Sequence, residues 1–184
     1  MSKNISVYGI MPSETQLASC LNRLRGAGFR PEDVSILMPE NLGNKDFAHE
    51  QSSKAPEGAA TGGLAGGVLG GALGWLVGVG ALAVPGLGPF IAAGPIMAML
   101  AGAGAGAAVG GVAGGLIGLG LPEYEAKRYE GRIKKGGILL SVHCDNSEWA
   151  SKAEDILLAS GAEDTSKTGE ASADYAETDK PVRR

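Results

Sequence analysis

The chain has 184 residues, a formal net charge of -4, 31 glycines and two cysteines. The acidic balance argues against a nucleic-acid binder, which carries a basic patch, and Cys20 and Cys144, far apart and in no CxxC spacing, give neither a disulfide framework nor a zinc signature. The opening MSKNISVYGI lacks the charged and apolar regions of a signal peptide, so the polar parts are expected in the cytoplasm.

Taken in order, ISVYGI (5–10) predicts a short strand rich in β-branched and aromatic residues. Ser13 is a good N-cap, and Leu17, Cys20, Leu21 and Leu24 follow helical spacing. Gly26 and Gly28 end that helix, Phe29 packs back, and DVSILM (33–38) predicts a second strand, completing a βαβ unit. Residues 39–56 are polar and read as a linker, with His49 as a surface histidine.

From Gly58 to Leu121 there is no charged residue. Gly62, Gly66, Gly70, Gly74 and Gly78 recur every four residues, and Gly102, Gly106, Gly110, Gly114 and Gly118 repeat the pattern. A four-residue step places each set along one side of a helix. Glycine costs about 1 kcal/mol per site against alanine in a helix exposed to water. The penalty shrinks where water cannot compete for backbone groups, and a glycine stripe then admits a close neighbour helix. The stretch is therefore expected to be a hairpin of two glycine-zipper helices, transmembrane or buried in an oligomer. Its arms run over 57–84 and 90–121, and PGLGP (85–89) makes the turn. The first arm, at roughly 40 Å, is long enough to cross a bilayer with tilt. Trp75 lies near the middle of that arm, unlike an aromatic-belt anchor.

Pro122 opens a helix with acidic residues at its start and Lys134 and Lys135 at its end. Tyr124, Lys127, Arg128 and Tyr129 follow the apolar run directly and are expected as an interfacial anchor. ILLSVH (138–143) predicts a buried strand, Asp145 or Asn146 a cap, and the residues through Leu157 a helix ending near Gly161. A last strand follows Ala162, and 168–184 is expected to be a disordered tail. The two flanks echo each other: SETQLASCLNRLRGAGF leads into EDVSIL, and NSEWASKAEDILLASGA leads into EDTSKT. Two such units can share one four-stranded sheet with helices on one face, a ferredoxin-like split βαβ arrangement of α+β class. The divisions are then 1–56 and 122–167 as halves of one αβ domain, 57–121 as the insertion and 168–184 as the tail.

The glycine runs contain no GxxxxGK[ST], so they are not phosphate loops. His143 and Cys144 are adjacent in a strand and point to opposite faces, which argues against a shared site. No catalytic, cofactor-binding or metal-binding set is expected, and the roles of Cys20, Cys144 and His143 stay open.

SVYGI with its following helix, DVSILMP, the glycine zipper and PEYEAKRYEGRIKKGGILLSVH together resemble bacterial glycine-zipper general stress proteins of the YflT type, over all but the tail. In that family the βαβ flank is shared and the zipper varies. The resemblance implies stress association and carries across no catalytic residues. The layout is also similar to the membrane-anchored subunit of alternative complex III quinol oxidoreductases, although this chain has no haem or iron–sulfur ligand set. The expected function is a non-enzymatic, membrane-associated structural protein that self-assembles as a homo-oligomer through its glycine faces. The expected setting is the bacterial inner membrane, with the αβ domain in the cytoplasm, membrane lipid as a partner and no nucleic acid. Two alternatives are an accessory subunit of a larger membrane complex and a soluble cytoplasmic cage or filament.

Overall fold

The computed structural model describes residues 4–39, 72–76, 79–84, 88–94 and 104–169, with side chains throughout except at 81–84, 88–89 and 104–110. Strand β1 (Ile5–Met11) is buried at every residue but its first. A strand covered on both faces reads as an almost unbroken apolar run, and ISVYGIM is one. Helix α1 (Glu14–Gly26) starts on Ser13, whose hydroxyl accepts the Gln16 N–H at 3.3 Å. It buries Leu17, Ala18, Cys20, Leu21 and Leu24. At its end Gly28 adopts φ +92°, which a side chain would disfavour, and the Phe29 N–H returns to the Leu24 carbonyl at 3.1 Å. A single 3₁₀ turn (Pro31–Asp33), clasped by Arg30 on Asp33 through two 3.0 Å bonds, leads into strand β2 (Val34–Pro39).

The C-terminal flank repeats this plan. Strand β5 (Ile138–Cys144) precedes the helix Ser147–Ala159, here called α4, and strand β6 (Glu163–Gly169). The α4 N-cap is Asn146, whose side chain accepts the Trp149 N–H at 3.0 Å. β5 lies between β1 and β2, and β1 lies between β5 and β6, each neighbour antiparallel. The two βαβ units are thus interleaved in one sheet. α1 and α4 share its first face, over a core containing Val7, Met11, Val34, Ile36, Leu140 and Val142. Phe29 meets Trp149 edge-on across this layer, ring centres 5.0 Å apart. Each fully buried leucine in this layer stabilises the fold by about 1.5–3 kcal/mol.

The apolar insertion departs from the predicted pair of helical arms. Gly80–Val84 and Gly88–Ala93 are strands, β3 and β4, paired antiparallel from Gly80↔Ala92 to Val84↔Gly88. β4 in turn pairs with β2, from Ile36↔Ala93 to Pro39↔Phe90. The sheet therefore has six described strands in the order β3-β4-β2-β5-β1-β6, all neighbours antiparallel. The end of the first expected arm and the start of the second extend the domain's own sheet. The physical reason is that a sheet interior buries an uncharged run as fully as lipid does: Phe90, Ala92 and Ala93 are at most 2% exposed, with Phe90 and Ala92 on the face opposite Ala93. Residues 72–76 also join the first-face core through Ala72, Leu73 and Leu76.

Helix α2 (Gly104–Gly118) and helix α3 (Glu123–Lys134) cover the second face. There Val112, Ala113 and Leu116 of α2, and Ala126, Tyr129 and Ile133 of α3, close over Tyr8, Ile10, Leu37 and Leu139 of the sheet. The described chain is an α+β fold with helices on both faces, where the repeat alone predicts helices on one. Among the described residues no helix is long and apolar enough to cross a membrane.

Candidate functional site

The region singled out by sequence is the glycine-rich run, and α2 is the described helix that carries it. Val112, Ala113 and Leu116 turn inward and are at most 6% exposed, while Ile117 is 42% exposed. Gly114 is half-buried and Gly118 is exposed; an ideal Cβ at Gly118 would meet nothing within 4 Å. The outer side of α2 near its end is therefore smooth backbone flanked by one isoleucine.

The expected straight line of glycines is broken. Gly111, with φ +58° and ψ -152°, is not helical, and α2 is two segments meeting at a kink. This region of backbone space is essentially restricted to glycine. Gly106 and Gly110 lie before the kink, and Gly114 and Gly118 after it, so they do not form one unbroken stripe. Gly74 is exposed in the turn after Ala72–Leu73. Gly62, Gly66, Gly70, Gly78 and Gly102 lie outside the described residues, so the first register is not traced.

A kink exposes backbone donors at the start of the second segment. Glu130 of α3 meets that need: its Oε2 accepts the Ala113 N–H at 2.9 Å, and its Oε1 lies 2.5 Å from Lys134 Nζ. Burial pushes the Glu130 carboxyl up, but the Lys134 ammonium and the Ala113 N–H outweigh it, leaving the group below its ordinary value. A carboxylate thus fixes the bend in the apolar run.

The four expected anchor residues separate. Tyr124 is 75% exposed. Lys127 also faces solvent, paired with Glu123 at 2.6 Å. Arg128 lies between two rings, 5.9 Å from the Tyr124 centre and 5.8 Å from that of Tyr129. Tyr129 is fully buried, its ring 6.3 Å from that of Tyr8, and so is no interfacial anchor. Its hydroxyl donates to the Asp164 carbonyl at 2.6 Å and meets Ser166 Oγ at 2.8 Å. Burial pushes that hydroxyl up, so it remains a donor. The aromatic ring of α3 ties the second face to β6.

A row of hydroxyl side chains crosses the sheet on its second face. Strand register aligns Ser35, Ser141, Tyr8 and Ser166 across the second face, and beside them His143, Ser6 and Thr168. Ser6, Ser35 and Ser141 are at most 5% exposed, while Ser166, Thr168 and His143 are half-buried, so the row is closed to solvent at its serines on β1, β2 and β5 and partly open toward β6. The alternation of serine with apolar residues in ISVYGI, VSIL and ILLSVH is the signal that could have revealed it. His143 Nε2 stands 3.7 Å from Asp145 Oδ1, beyond hydrogen-bond distance. Cys144 is buried in the first-face core, on the other side of the sheet. Cys20 is also buried there, and its thiol is pushed up to about 11 by burial, against the opposing pull of Ser160 and Arg23. Among the described residues no group of histidine, cysteine and carboxylate side chains could hold a metal ion. The larger described cleft, about 250 Å³ beside Ser147, Ser151 and Lys167, is an open surface hollow. The cleft at His143, Asp33 and Trp149, about 10 Å³, has room for no more than a water.

Compared with family models, with curated proteins and with solved structures, the chain matches none. The resemblance to the general stress proteins therefore rests on the quoted residues.

Proposed function

We propose that this chain is a non-enzymatic structural protein that self-associates through the glycine-rich face of α2, with the αβ domain as its rigid support. The strand order β2-β5-β1-β6 with α1 and α4 on one face supports a ferredoxin-like core for that domain. The observation that carries the reading is the outer side of α2: its inner residues are sealed on the sheet, while Gly118 is open and Ile117 exposed beside it. A surface without side chains lets a second helix approach closely. The role in stress that the sequence resemblance implies would then be exercised through assembly and not through turnover.

The test is the native mass of Gly118→Leu. Leucine meets no neighbour within the chain, so the subunit keeps its fold while the glycine surface is blocked. A lower mass than the wild type, with unchanged circular dichroism, is expected. An unchanged mass would remove the glycine face from the contact, and a wild type that is a single chain at all concentrations would end the self-association reading.

A second reading, peripheral attachment to a membrane, is favoured by Tyr124, whose 75% exposed ring follows exposed Ile117 at the α2–α3 junction. Flotation of the chain with anionic vesicles, reduced in Tyr124→Ala, is the outcome it requires. Wild-type protein left wholly at the bottom of the gradient would remove it.

A further inference from the structure

We propose that two copies join edge to edge through β3, antiparallel, forming one continuous sheet; this rests on the self-association reading and adds a strand contact to it. Among the described residues the sheet ends at β3 on one side and at β6 on the other. An edge strand offers unpaired N–H and C=O groups to any second strand, and proteins protect such edges with charges and bulges.

β6 carries these protections. It holds Glu163, Asp164 and Lys167. Arg132 pairs with Glu163 and Asp164 at 2.8 Å each, and Lys167 pairs with Glu154 at 2.5 Å. Its register with β1 shifts between Tyr8 and Ile10, and Asp164 has φ +52°. β3, GALAV, has no charge, no proline and an unbroken register. Val79, just before it, is 46% exposed. One edge is thus closed to pairing, while the other has the composition of a strand that pairs.

The backbone shows which groups β3 offers. Proline has no N–H, and in an antiparallel ladder it fits the non-hydrogen-bonded pairs. Pro89 of β4 lies opposite Ala83 of β3, and Pro39 of β2 lies opposite Phe90 of β4. Both prolines give the same phase: Phe90 bonds toward Leu82, so Leu82 points its N–H and C=O inward. Ala81 and Ala83 then point theirs out of the sheet. A two-fold axis at Leu82 sets Ala81 of each copy opposite Ala83 of the other, with reciprocal backbone bonds. Leu82 meets its own counterpart in a non-hydrogen-bonded pair, Cα atoms about 4.5 Å apart. Identical uncharged strands satisfy this arrangement without like-charge opposition. α2 contacts β3. Pairing about an axis perpendicular to the sheet therefore carries the glycine-rich helices of both copies to the same face. With β6 protected, the joint sheet closes at two copies instead of growing into a fibre.

The full chain tests this in two ways. Ala83→Pro removes an outward N–H while sparing the β3–β4 ladder, and is expected to reduce the native mass to that of one chain. Leu82→Cys is expected to give a rapid disulfide between copies under mild oxidant, within the Cα range such bonds need; the wild type is the control, because Cys20 and Cys144 are both buried. Ala83→Pro that keeps the wild-type mass, or Leu82→Cys that crosslinks no faster than wild type, would overturn the pairing. If Ala83→Pro does not fold, the crosslinking alone decides. Loss of mass in Gly118→Leu with neither β3 result would refute this contact and leave the helix-face reading standing. A wild type found only as a single chain, or only bound to a different polypeptide, would refute both.

Discussion

Replacing Glu130 with alanine is the sharpest test of how the apolar run is held. Gly111 breaks α2, and the Ala113 N–H, in a residue only 6% exposed, has the Glu130 carboxylate as its acceptor at 2.9 Å. Removing a helix cap costs about 1 kcal/mol, within a range of about 0.5–2. The lost pairing with Lys134 adds about 0.3–0.5 kcal/mol. Together Glu130→Ala should destabilise the fold by about 1.3–1.5 kcal/mol, a fall in Tm of about 3–6 °C for a chain of this length. The effect should depend on pH. The native carboxyl sits below its ordinary value, so its contribution is complete above the unfolded carboxylate range of about 4.3 and fades as pH falls through the lower native value. Urea unfolding of wild type, Glu130→Ala and Glu130→Gln from neutral to acid pH measures this. Wild type should fall toward Glu130→Gln at acid pH, while Glu130→Gln stays above Glu130→Ala by a margin that does not change with pH, because its amide oxygen still accepts the Ala113 N–H. A Glu130→Ala protein within about 1 °C of wild type at neutral pH, or a difference that persists unchanged into acid, would refute the reasoning.

Tyr129→Phe should cost about 1–2 kcal/mol, because it removes the hydroxyl bonded to the Asp164 carbonyl and to Ser166. Amide exchange should rise along 163–168 more than in α1, and equal rises in both would show that the hydroxyl is not specific to β6. Cys20, buried with its thiol pushed up to about 11, and Cys144, also buried, should both resist a thiol reagent near pH 8 in the native protein. Both should react fully in denaturant; a fast-reacting native thiol would contradict the packing of the first face.

The flanks were legible because local chemistry and burial agree there. Ser13 and Asn146 are caps by type and position, and Leu17, Cys20, Leu21 and Leu24 occupy one helical face against a strand pair of matching length. The insertion was not, because short runs of Gly, Ala, Val and Leu suit a buried strand and a buried helix equally, and periodicity does not separate them. The punctuation held the better clue: Pro85 and Pro89 bracket a turn, and the five or six residues on either side suit strands. The charged neighbours of Tyr129 suggest an outward ring, yet Ala126, Tyr129 and Ile133 form a stripe at helical spacing that points to a buried face. The contact of Glu130 with the Gly111 kink had no local signal, since it joins residues on separate helices.

The strands at 80–84 and 88–93 also constrain any relation to a bilayer. β2 ends at Pro39 and β3 begins at Gly80, and both lie in one sheet. Gly88 and Pro89, the last two residues of the PGLGP expected at the far side of a membrane, instead belong to β4 and lie opposite Val84 and Ala83 of β3. Helix is therefore replaced by strand at 80–84 and 88–93 of the expected arms 57–84 and 90–121, and both stretches belong to the domain's sheet. The absence of charge across 58–121 follows where the run is described: it enters the interior between the two helical layers, and there the carboxylate that meets it, Glu130, is held by a backbone N–H and a lysine.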